Sequence, residues 1–204
     1  MPLSNSKIAG ILLAVGGIQF TVAMIIAEAV YPGYSISANY ISDLGVWSKP
    51  SGIIFNPSIM LFGLTVLASS YFVNRQFGNR GITILLALSG IGPLGVGLFP
   101  ENTFIVNGIP FFHSIFALIA FIAGGLVAIA FYKITEAPFK YLTVILGVAG
   151  LTAMVLFFAT RDYGYLGLGV GGMERMIVYP TLLGIIAFGG YLLGMTDEKQ
   201  PMTP

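Results

Sequence analysis

An all-α membrane bundle of six transmembrane helices is the fold this sequence predicts, and three observations predict it. Only 8% of its 204 residues are charged against 56% hydrophobic, with a mean hydropathy of +0.92, so a water-facing surface could not be covered with polar groups. Six apolar windows follow one another, each near the roughly 20 residues a helix needs to cross hydrocarbon with every backbone N–H and C=O satisfied internally. Pro32, Gly78, Pro100 and Pro138 fall in the gaps between them, where a helix can stop without losing a buried hydrogen bond.

The windows run at about 8–30, 52–73, 81–99, 110–132, 141–159 and 173–193. In the first, Lys7, an apolar run and Ala27-Glu28-Ala29 imitate a signal peptide. The run from Ile8 to Ala27 exceeds the roughly 7 to 15 residues of a signal core, so an uncleaved span is expected. Pro93 in the third window and Pro180 in the sixth are expected to kink or loosen their helices. Gly16, Gly17, Gly90 to Gly97, Gly124, Gly125, Gly147, Gly150, Gly189 and Gly190 sit inside the windows. Small residues let helix backbones approach in lipid, where the hydrophobic effect cannot drive helices together. With no internal repeat and no long linker, residues 1–204 read as one domain.

An even number of spans puts both termini on one side. That side carries Lys7, Arg75, Arg80, Lys133, Lys140 and Lys199, six of the nine basic residues. The positive-inside rule then makes the termini cytoplasmic, in a multi-pass protein of the cell membrane. A formal net charge of +1 with no Lys/Arg run excludes nucleic acid as a partner. The expected partners are membrane lipids, with other membrane proteins or a second copy of the chain beside them. The absence of cysteine excludes a disulfide, a thiolate nucleophile and a Cys-ligated metal. A single His113 excludes bis-histidine haem within one chain, and no motif names a cofactor.

The opposite, outer side collects the chemistry. Glu28, Asp43, Glu101, Asp162 and Glu174 fall there, five of the eight carboxylates, together with His113, Arg161 and Arg175. Asn39, Ser42 and Asp43 lie in the longest loop, and Asn56 and Ser58 stand near the start of the second span. The stretches "NYISDLG", "FNPS", "GVGLFPEN" and "FFHS" together resemble an uncharacterised six-span membrane family, the domain of unknown function 998. The "SDLG" loop is more distantly similar to that of six-span eukaryotic proteins of autophagy regulation and GPI-anchor remodelling. The resemblance implies the six-helix fold and a set of characteristic positions, Asn39, Ser42, Asp43, Asn56, Pro100, Glu101 and His113. It implies no reaction.

Each candidate carries two readings. Asp43 beside Ser42 is either a general base next to a hydroxyl or the cap of a loop turn. His113 is an acid/base, a metal ligand with Asp43 and Glu101 in a set that suits zinc or manganese, or an interfacial histidine bonded to a loop carbonyl. Arg161, Asp162, Glu174 and Arg175, with Glu28 at the same level, either close the bundle through ion pairs or hold an anionic headgroup. The glycines of "YGYLGLGVGGMER", entering a helix N-terminus, would expose N–H groups to a phosphate. The sharper expectation is a membrane-embedded hydrolase or transferase for lipid-like substrates. Asp43, His113 and Glu101 would be catalytic, and Asn39, Ser42, Asn56, Arg161 and Arg175 would bind substrate. The alternative is a non-catalytic structural or accessory subunit. "NYISDLGVWSK" is then a lid or wall of the pocket, or only a turn.

Overall fold

The computed structural model describes residues 3–196. Its long helices are α1 (Asn5–Val30), α2 (Gly52–Phe77), α3 (Arg80–Leu98), α4 (Phe111–Ala130, carried on to Lys133 by a 3-10 turn), α5 (Phe139–Ala159) and α6 (Gly169–Gly194). All six are long and apolar enough to cross a membrane. Each packs on the next, and α6 returns to α1, so the helices close into a ring. Lys7 fastens the seam by donating to the Leu193 and Met195 carbonyls at 2.5 and 2.7 Å. A cation is well placed there, against the free carbonyls and negative dipole end of α6. Lys199 lies outside the described residues.

Side chains such as Ile53, Ile145, Val155 and Phe158 are more than three-fifths exposed on the outside of the ring. In a bilayer that surface meets acyl chains, so its exposure costs nothing. Helix contacts therefore rest on close approach. A Cβ at Gly63 of α2 would lie 2.6 Å from the Gly90 carbonyl of α3, one at Gly147 of α5 would lie 2.6 Å from the Gly125 carbonyl of α4, and one at Gly189 of α6 would lie 2.7 Å from the Ala14 nitrogen of α1. Gly190 belongs to no such contact, having nothing within 4 Å. Its neighbour Gly189 faces α1 instead, because adjacent residues point roughly 100° apart around a helix.

Two segments differ from the sequence reading. α6 starts at Gly169, a turn before the expected Met173, because the glycines taken for a loop join the helix and pack on the chain between α1 and α2. Between α3 and α4 a small hairpin pairs β1 (Ile105–Val106) with β2 (Ile109–Pro110). Asn107 and Gly108 turn it at φ 51° and 77°, the left-handed pair that a two-residue hairpin turn requires. α3 and α6 run through Pro93 and Pro180 without ending.

Gly63→Val should force α2 from α3 and lower the thermal stability of the purified protein by about 1–3 kcal/mol. Gly190→Ala should leave stability equal or raise it by up to about 1 kcal/mol, because only the entropy of a helical glycine changes. Thermal unfolding in detergent, followed by circular dichroism, distinguishes the two.

Candidate functional site

The chain between α1 and α2 folds over the ring as a series of turns. The Asn39 N–H donates to the Ser35 carbonyl at 2.9 Å, while its side-chain Oδ1 accepts from the Ser35 N–H at 3.0 Å. Ser42–Gly45 then forms a 3-10 turn. Asn56 of α2 holds the end of that turn, its Nδ2 donating to the Gly45 carbonyl at 2.8 Å. A Cβ at Gly45 would come within 2.5 Å of the Asn56 Oδ1, so the clamp requires glycine. Against α6, the Gly171 N–H donates to the Ser37 carbonyl at 3.0 Å, and a Cβ at Gly171 would run into the Asn39 carbonyl. The α6 N-terminus that was expected to receive a phosphate thus receives this loop.

Arg175 completes the attachment. Its guanidinium donates to the Ile36 and Gly171 carbonyls at 3.1 and 3.0 Å, to the Glu28 Oε1 at 2.5 Å and to the Tyr34 hydroxyl at 2.7 Å. The Tyr34 hydroxyl donates onward to the Tyr40 carbonyl at 3.0 Å. Burial pushes the Tyr34 phenol up to about 12, against the pull of the nearby guanidinium, so the ring stays neutral and able to donate. Arg175–Glu28 is the one side-chain ion pair among the described residues. Of the ion pairing expected among Glu28, Arg161, Asp162, Glu174 and Arg175, it is the one pair that forms there. Arg161 and Asp162 are exposed, and Glu174 and Arg175, being adjacent on one helix, face different ways.

Beneath the loop is a cavity of about 90 Å³ enclosed by α1, α2, α3, α4 and α6. Ile41 and Ser42 of the loop, His113 at the start of α4 and Glu174 at the start of α6 line its polar end. From Glu174 the lining continues along α6 to Ile185, about 16 Å deeper at 1.5 Å per residue. Apolar walls such as Phe20, Phe55 and Phe62 make up most of that depth. The Ser89 and Thr181 hydroxyls in the wall donate to the Leu86 and Ile177 carbonyls of their own helices.

At the polar end Ser42 Oγ donates to Glu101 Oε2 at 2.8 Å. Asp43 is turned by Asn39 Nδ2 at 2.9 Å and the Tyr40 N–H at 3.0 Å, both donating to its Oδ2. It also shares a side-chain hydrogen bond with Glu101. Burial first, and then the charge and hydrogen bond of Asp43, push the Glu101 carboxyl up to about 7, although the Ser42 hydrogen bond opposes the shift. Burial likewise raises the Tyr40 phenol to about 12. His113 Nδ1 lies 3.0 Å from the Phe99 carbonyl. A carbonyl only accepts, so Nδ1 carries the hydrogen, and the neutral ring keeps its lone pair on Nε2. Glu174 Oε2 accepts from the buried Ile41 N–H.

Of the residues singled out in the sequence, Ser42 and His113 therefore line one end of one cavity, and Glu101 and Asp43 stand beside it, Glu101 bonded to Ser42. Asn39 and Asn56 hold the loop, Arg175 fastens it from behind, and Arg161 stands on the surface. No group of three His, Asp or Glu residues with the geometry to hold a metal ion occurs among the described residues. The histidine–carboxylate metal set considered from the sequence is not assembled. Sequence reasoning missed Glu174 as a cavity wall and Tyr34 as the hub between Arg175 and the loop. The signal for Glu174 was present: adjacent charges in the first turn of a span cannot both face the same partner.

Glu28→Ala should leave Arg175 buried without its counter-charge, at a cost on the order of 3–5 kcal/mol, and pairing it with Arg175→Met should recover much of that loss in thermal unfolding. Glu101, raised from 4.5 in the folded state, contributes stability that is complete below about 4.5 and lost as pH rises through about 7. The melting temperature should fall across that window in the wild type, and the Glu101→Gln protein should show less of the fall. No curated protein and no solved structure matches the chain. Residues 14–191 match the family described as "protein of unknown function (DUF998)", and the chain belongs to that family.

Proposed function

We propose that the protein is a membrane-embedded hydrolase or transferase for lipid-like substrates, working in the outer leaflet of the cell membrane with both termini cytoplasmic. The Ser42 hydroxyl donating to Glu101 at 2.8 Å, in the wall of an otherwise apolar cavity, carries this reading. A serine hydroxyl is a weak nucleophile until a base within hydrogen-bond reach accepts its proton. A carboxyl that titrates near neutrality suits that role.

In acyl transfer, Ser42 Oγ bonds to the substrate carbonyl carbon as its proton passes to Glu101. Glu101 returns the proton to the departing group. Water or an acceptor alcohol then gives a proton to Glu101 as it bonds to the acyl carbon, and the bond to Ser42 Oγ breaks as Glu101 passes that proton to the departing serine oxygen. Asp43 beside it disfavours the Glu101 carboxylate and so favours uptake of the Ser42 proton. The lone pair on His113 Nε2 offers a second acceptor at the same end of the cavity. The hairpin supports a substrate arriving from the bilayer: Phe104, Ile105, Val106 and Ile109 are more than half exposed, on the stretch that joins Glu101 to His113. Lys7, Arg75, Arg80, Lys133 and Lys140 at the other end of the helices support the orientation.

One observation favours the accessory reading. Arg175, Asn39 and Asn56 are spent on fastening the loop, as a clasp in a larger membrane assembly or in a pair of copies would require. The two readings separate on a panel of long-chain esters and amides given to the purified protein in nanodiscs. Ser42→Ala and Glu101→Gln should lower turnover by about 10²-fold or more, with Asp43→Asn and His113→Ala also impaired, while all four remain folded. Wild-type turnover should rise with pH through about 7 as Glu101 gives up its proton. Variants that lose only melting temperature, with turnover unchanged or absent throughout, would leave the clasp as the function.

A further inference from the structure

The polar end of the cavity is acidic, and no protein cation faces into it. Glu174 is 8% exposed and lines the cavity, and its one protein hydrogen bond among the described residues is the Ile41 N–H on Oε2. Its other oxygen meets no protein donor there. Glu101 and Asp43 add charge of the same sign close enough to act on Glu174, against the opposite pull of Arg175. The nearest guanidinium, Arg175, has both terminal nitrogens committed to Glu28, Tyr34 and two carbonyls. An anionic head would therefore meet the Glu174 carboxyl in the wall, with Glu101 and Asp43 behind it, and no free cation. The α6 N-terminus is covered by the Ser37 carbonyl.

Resting on the reading of this cavity as the substrate site, we infer that its ligand is a single-chain amphiphile with a primary amine head, the ammonium seated on Glu174 between Ser42 and His113. An ammonium supplies the counter-charge that a buried carboxylate needs. Its three N–H groups match the acceptors available, the free Glu174 oxygen, the Ser42 hydroxyl oxygen and the lone pair on His113 Nε2. Size narrows the choice further. At about 90 Å³ the cavity is smaller than the roughly 150 Å³ void that takes up benzene. It admits a compact head and the first carbons of one chain, and excludes a two-tailed glycerolipid or a bulky sugar head. The apolar walls below the polar end suit those carbons.

The test compares hexylamine, hexanol and hexyl phosphate, which share one short chain, by their effect on the melting temperature of the detergent-purified protein. Hexylamine should raise it by several degrees in the wild type, by less in Ser42→Ala, which keeps Glu174 but loses one acceptor, and should have little effect on Glu174→Gln; hexanol and hexyl phosphate should do little in any of them. A response to hexyl phosphate or hexanol as large as that to hexylamine overturns the inference, as does an equal hexylamine response in Glu174→Gln. If Glu174→Gln does not fold, the head-group order in the wild type decides alone. The outcome is independent of turnover: loss of the enzyme reading through an unimpaired Ser42→Ala leaves the amine preference standing, and loss of the amine preference leaves Ser42 chemistry to be judged on other heads.

Discussion

Arg175 holds the one long loop of the molecule across the open end of a helix ring. It reaches α1 through Glu28, the loop through Tyr34 and Ile36, and its own helix through Gly171. A guanidinium so deeply buried stays charged only because each terminal nitrogen has an acceptor and one of those acceptors is a carboxylate. Its Nε has no hydrogen-bond partner, so the site is not perfectly satisfied, and the four outer bonds matter the more. The cavity has a roof because this network exists.

The consequences reach the acidic end by geometry. With Ile36 and Tyr34 held, the following turns carry Ser42 and Asp43 over the ring, where Glu101 meets both side chains. Asp43 then does two things at once. It caps the turn through Asn39 and Tyr40, and it acts on the Glu101 carboxyl. The capping and chemical readings of the same residue are compatible, because one carboxylate has two oxygens and several acceptor directions. Turn-making and pocket-making are likewise one act in this loop.

A bilayer also explains the division of labour between the two ends of the helices. Backbone groups within the spans are satisfied by the helices themselves, so ionisable groups gather where water or each other can solvate them. At the terminal end Lys7 bonds α6 carbonyls and Lys140 stacks near Tyr132 and Tyr141, an anchoring pattern. At the loop end the carboxylates outnumber their cations inside the structure. That imbalance separates the loop end from the anchoring one.

The sequence by itself determined the six helices, their order and the end at which the polar residues gather, because hydrocarbon imposes a length and an apolar composition that can be read residue by residue. It also singled out Ser42, Asp43, Glu101 and His113, which the fold does bring to one place. Only the tertiary structure decided which charges face each other. Arg175 pairs with Glu28 across 147 positions, while Glu174 turns into the cavity, and nothing in linear spacing distinguishes two adjacent residues in one helical turn. The glycines of α6 show the same limit from the other side. A run that reads as a flexible loop becomes helix once the Ser37 and Asn39 carbonyls press against it, since whether glycine loosens a chain or admits a neighbour depends on whether a neighbour is there.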